Sequence, residues 1–105
     1  MDSQTLIPRS MTIEEFLPLV GEWMLADCDP EPVKIKLVEA APLKPNDLVT
    51  RPPFILTFHS GPDVQLLDGN YALRCGQFGP DLVFISSLMR PANSDAGFYY
   101  QAVFN

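Results

Sequence analysis

The chain has 105 residues, 47% of them hydrophobic, with 7 basic and 13 acidic side chains for a net charge of −6. That is the length of one domain with a core of its own, and the composition excludes a disordered chain or one that needs a metal or disulfide staple to fold. The basic residues Arg9, Lys34, Lys36, Lys44, Arg51, Arg74 and Arg90 are scattered among acids, which argues against nucleic acid or an anionic membrane as a partner.

A single domain over 1–105 is expected, with residues 1–11 as a loose lead-in. The lead-in has no basic stretch followed by an apolar segment, and no run approaches a membrane span. A cytoplasmic protein with free thiols at Cys28 and Cys75 is therefore expected. The first element starts at Thr12-Ile13-Glu14-Glu15, where Thr12 and Glu15 have the spacing of a capping box and Met11 and Phe16 that of a hydrophobic staple. Pro18 limits the helix to two turns or less, failing near Leu17 to Leu19. Gly21 lets the chain turn away.

From there the period is two. Trp23 and Leu25 share one face of a strand over Glu22–Asp27, with Met24 and Ala26 on the other. After a turn at Cys28–Pro32, Val33–Ala40 alternates cleanly, with Val33, Ile35 and Leu37 inward and Lys34 and Lys36 outward. A longer loop through Pro42, Pro45, Asn46 and Asp47 closes at Arg51-Pro52-Pro53. Phe54–Ser60 is the next strand, ended by Gly61-Pro62-Asp63. Val64–Leu67 reads either as a short strand or as a turn that drops Leu66 into the core. Asp68-Gly69 is a hairpin-type turn, Asn70–Cys75 a strand, Gly76–Asp81 a turn and Leu82–Leu88 a strand. A polar loop runs from Pro91 to Gly97, and Phe98–Phe104 is the last strand. Of the 11 prolines, all but Pro18 fall in these gaps. The fold class is mainly β: a small antiparallel barrel or sandwich of five to six strands with one short N-terminal helix. A parallel α/β sheet fails because no second helix-length segment exists to make crossovers.

No complete reactive constellation is visible, so no catalytic, metal or cofactor-binding residue is nominated, and the protein reads as a non-enzyme without a cofactor. His59 is the single histidine, placed outward near the end of its strand. A Cys–His hydrolase would need Cys75 or Cys28 beside it and an orienting carboxylate, and zinc would need a fourth ligand beyond Cys28, His59 and Cys75. A Cys28–Cys75 disulfide requires that the ends of two strands meet. Asp27, Asp29 and Glu31 lack the glycine and distal glutamate of a calcium loop. Gly76 and Gly79 do not open a helix, so they are no phosphate cradle. Phe54–Phe58 and Leu82–Ile85 are apolar on both faces, and the last strand is aromatic. One face of each is core. The other must be covered within the chain or by a partner. The candidate interaction surface is Ile55, Val83, Ile85 and Tyr99, serving a protein partner or a homo-oligomer. The alternative is a small-ligand-binding β-barrel with an enclosed apolar pocket.

Several segments carry a resemblance: Arg51-Pro52-Pro53-Phe54-Ile55-Leu56-Thr57-Phe58, Gly61-Pro62, Leu67-Asp68-Gly69-Asn70-Tyr71-Ala72-Leu73, Phe78-Gly79, Leu82-Val83-Phe84-Ile85 and Gly97 to Asn105, with a looser match at Phe16–Gly21. Together they resemble an uncharacterised bacterial family known as a domain of unknown function, from about Thr12 to the end. The resemblance implies a neighbourhood of phage-tail-collar-like proteins, and hence a part in a tail- or fibre-like assembly. It brings no catalytic residues. The chain departs from that family's usual pattern at Asp68, Cys75 and Gln101, where glutamine, histidine and glutamate are common.

Overall fold

The period-two pattern becomes six antiparallel strands in the computed structural model, which describes residues 9–28, 31–44 and 52–104. They are β1 (Trp23–Asp27), β2 (Val33–Pro42), β3 (Phe54–Ser60), β4 (Gly69–Cys75), β5 (Phe78–Leu88) and β6 (Phe98–Phe104). They close in the order β1-β2-β3-β6-β5-β4, so of the two architectures the sequence allows the chain forms the barrel. Register shifts between Leu37 and Glu39 and between Leu73 and Cys75 supply the local bends that closure requires. The seams are unequal. β3 and β6 pair along their whole length from Phe54↔Phe104 to Ser60↔Phe98, whereas β5 and β6 pair only from Ser86↔Gln101 to Leu88↔Tyr99.

Met24, Ala26, Ile35, Leu37, Phe54, Leu56, Phe58, Leu73, Val83, Ile85, Tyr100 and Ala102 fill the interior. This corrects two members of the expected interaction surface. Val83 and Ile85 point inward, because the β4–β5 register sets Val83 beside Tyr71, which packs against the core. The outward residue between them is Phe84, 56% exposed.

The N-terminal segment forms two 3-10 turns, Ile13–Glu15 and Leu17–Leu19, instead of one α-helix. Pro18 has no N–H to give, and the bonds that form are short-range: Phe16 N–H donates to Ile13 O at 2.9 Å and Leu19 N–H to Phe16 O at 2.8 Å. The expected cap is present, with Thr12 N–H donating to the Glu15 carboxylate at 2.9 Å. The turns carry Phe16 over the barrel end formed by Phe54, Phe78 and Phe104, at ring-centroid distances of 5.9, 5.1 and 5.7 Å. Arg9 then clamps this lid to the wall, bonding Glu15 at 2.6 Å and Asp81 of β5 at 2.9 Å.

Bonds from Asp81 and Glu15 hold the Arg9 guanidinium protonated far above its usual range, and the Arg9 bond pulls the Glu15 carboxyl below the ordinary 4.5. A depressed carboxyl contributes stability that is present above its unfolded pKa and disappears as pH falls through the lower folded value. Melting temperatures of the natural protein and Glu15→Gln should therefore differ at pH 7 and converge as the pH falls below about 4.5.

β2 runs on through Ala41 and Pro42, past its expected end at Ala40, and β5 starts earlier than expected. β5 begins at Phe78, so only Gly76 and Gln77 lie in the turn; Pro80 is tolerated because it sits at the register shift, where no ladder N–H is required. Val64–Leu67 is no strand: it crosses the other barrel end and drops Leu66, 4% exposed, into the core. Residues 1–8, the turn residues Asp29 and Pro30, the loop members Pro45, Asn46, Asp47 and Arg51, and Asn105 lie outside the described residues. Among the described residues no helix is long and apolar enough to cross a membrane.

Candidate functional site

At the end opposite the Phe16 lid, the chain leaves β3 at Gly61 and returns to β4 at Gly69, and a cleft of about 520 Å³ opens between that loop and the start of β2. Its walls include Cys28, Val33, Lys34, Val64, Leu66 and Tyr71, with Glu31 and Asp63 also among the lining residues. A directed relay of hydrogen bonds fixes the loop. Leu66 N–H donates to the Tyr100 hydroxyl at 3.0 Å, and the Ser60 hydroxyl donates to Val64 O at 3.1 Å. Ser60 has only one proton to give, so Tyr100 donates to Ser60 Oγ across the 2.8 Å between them. Tyr71 adds a bond of 2.6 Å to Leu67 O, and burial pushes its phenol above the usual range, keeping it a donor.

Tyr100→Phe leaves the Leu66 N–H without its buried partner and should cost about 1–3 kcal/mol, the ordinary penalty for such an orphan. Urea unfolding checks the energy. Hydrogen exchange at the Leu66 amide checks the cause: it should accelerate beyond what global destabilisation explains.

The outer wall carries the remaining candidates. Ile55 is half-buried and pairs with exposed Val103 on one side and Ala41 on the other. Tyr99, expected at a partner surface, faces outward but is only 8% exposed. It stacks on His59 at 4.4 Å between ring centroids and donates to Asp95 O at 3.3 Å. His59 in turn donates from Nε2 to Ala96 O at 2.9 Å, so both rings hold the 91–97 loop against the barrel.

The structure separates the groups a reactive site would gather. In the six-strand ring β3 and β4 lie diametrically opposite, which sets His59 and Cys75 on opposite sides of the barrel. The register Leu25↔Arg74 and Asp27↔Ala72 puts Cys28 and Cys75 at opposite ends of the β1–β4 pair. Four strand positions are roughly 13 Å, well beyond disulfide reach, and both thiols are free. Cys75 lies in a shallow outer hollow of about 170 Å³ with Trp23, Leu25 and Arg74, where burial raises its pKa and makes it a poor nucleophile. Arg74 in that hollow is bonded to Asp27 through Nε and Nη2 at 3.1 and 2.9 Å. Among the described residues no group of three or more His, Cys, Asp or Glu side chains could hold a metal.

Asp68, Cys75 and Gln101 are also apart. Asp68, just ahead of β4, accepts from Ser87 N–H and Oγ–H at 2.9 and 3.0 Å, whereas Cys75 ends that strand and Gln101 lies on β6.

The family model described as a domain of unknown function, DUF6916, matches residues 11–104. The chain belongs to the DUF6916 family. No curated protein and no solved structure matches it. The matched span of this DUF6916 domain takes in the Phe16 lid, all six strands and the cleft. Sequence reasoning missed the cleft and the outward role of Phe84. The Gly61-Pro62 break was the available signal for the cleft, since it marks where β3 stops shielding β2.

Proposed function

We propose that this DUF6916 domain is a non-enzymatic protein-interaction module that meets its partner through the outer apolar residues of β3, β5 and β6. The observation that carries this reading is the outward placement of Phe84 and Val103, 56% and 48% exposed, the latter in a cross-strand row with Ile55 and Ala41. Large apolar side chains on an outer barrel wall fit a contact surface better than a solvated one. The apolar side chains that fill the interior favour an outer contact over an enclosed ligand, and the placement of His59 and Cys75 on opposite sides of the barrel supports the non-enzymatic part. A second copy of the chain or a larger protein would both suit this wall, and a tail- or fibre-like assembly is the setting that the family resemblance suggests. Free thiols at Cys28 and Cys75 fit a reducing compartment such as the cytoplasm.

The test is site-specific photo-crosslinking in the producing cell, with a benzophenone amino acid at position 84 or 103 and, as a control, at exposed Gln77 on the β4–β5 turn. One discrete adduct from 84 and 103, absent from 77, is expected. No discrete adduct at either position would refute the reading.

A further inference from the structure

We propose that the cleft beside the 61–67 loop takes an extended peptide, which adds as a short strand to the free edge of β2 at Lys34. Successive residues of a strand present their N–H and C=O to alternate sides. Leu37 uses both groups on the β1 side: its N–H donates to Glu22 O at 3.1 Å and its C=O accepts from Gly21 N–H at 2.7 Å. Lys36 and Lys34 therefore turn their main-chain groups toward β3. Lys36 finds His59 there, but the ladder begins at that pair and runs only away from Lys34. Beyond it β3 ends at Ser60, the chain departs at Gly61, and the cleft occupies the place where the next rung would be. Lys34 thus offers a donor and an acceptor at strand spacing into a hollow.

The chemistry of the edge names its occupant. A donor and acceptor spaced along a strand are matched by another main chain, the recognition mode of strand addition. Val33, Val64 and Leu66 then supply apolar walls for one inward-facing side chain of the guest, and the volume of about 520 Å³ suits a few residues. The relay through Tyr100 and Ser60 keeps the opposite wall fixed. The site is at the barrel end, apart from the Phe84–Val103 wall, so either can fail without the other.

A displayed library of random peptides, selected on the immobilised full-length protein, is the probe. Enriched peptides should shift the amide resonances of Lys34, Val64 and Leu66. N-methylation at one peptide position should weaken binding about tenfold, the equivalent of one lost hydrogen bond, while methylation at the next position has little effect. Lys34→Pro should weaken binding at least about tenfold by removing the donor, whereas Lys34→Ala should retain it. Phe84→Asp should leave it untouched, and crosslinks from position 84 should survive Lys34→Pro. No enrichment, shifts confined to the outer wall, or affinity indifferent to peptide N-methylation would each overturn the proposal. The methylation series does not depend on whether Lys34→Pro folds.

Discussion

Phe16→Ala is expected to destabilise the domain by about 3–5 kcal/mol, lowering its melting temperature by about 10–30 °C. Phe16 lies in a segment with only two 3-10 turns, yet it is fully buried. Its ring faces Phe54, Phe78 and Phe104 at 5.9, 5.1 and 5.7 Å, and Phe54 and Phe104 stack on each other at 4.4 Å beneath it. Removing it opens a cavity at the barrel mouth and exposes three aromatic rings at once. It also frees the turns, whose short local bonds cannot hold them alone. Leu17, the next residue, is 49% exposed, and Leu17→Ala should stay within about 0.5 kcal/mol. Parallel thermal and urea unfolding of the two variants makes the comparison. Equal small losses would show that the lid is not a structural part of the barrel.

The second large effect is expected from Gly97→Ala, at about 2–4 kcal/mol. Gly97 has φ of +126°, and an added Cβ would lie 2.2 Å from Ser60 O and 2.7 Å from His59 Nε2. The first neighbour is backbone of a paired strand and cannot move without disturbing the β3–β6 ladder. The second is the ring that bonds Ala96 O. Gly76 separates clash from backbone conformation: its φ is +58° with nothing within 4 Å of a Cβ, so Gly76→Ala should cost only about 1 kcal/mol. Urea midpoints measure both. In Gly97→Ala the His59 ring resonances should also move, because the 91–97 loop must shift. If the two alanine variants lose the same stability, close approach at Gly97 is not what selects glycine.

Most strands are legible in the sequence because alternation and turn residues mark them independently. Val33–Leu37 and Phe54–Ser60 could be phased from their residues alone. Leu82–Ile85 could not. Four consecutive apolar side chains carry no period, and only the register Tyr71↔Val83, a long-range fact, decides that Phe84 faces out. The same limit hid the strand character of Phe78–Asp81: Gly79 and Pro80 read locally as a turn, but the bulge opposite them makes them compatible with a ladder. The capping box and staple at Thr12–Phe16 identified where the first element starts but not its 3-10 geometry, which Pro18 and the demand for Phe16 at the barrel mouth impose. The cleft was least legible. It exists because one strand outlasts its neighbour, a property of paired lengths and not of any residue.

The short pairing between β5 and β6 makes the two flanks of β6 unequal. Three rungs, from Ser86↔Gln101 to Leu88↔Tyr99, fasten one side of β6, while the other side is zipped to β3 over its full length. Of its two neighbours, β6 therefore parts from β5 more readily than from β3, like a cuff unbuttoning on one side. β6 stays fastened to β3 while β5 swings away with β4.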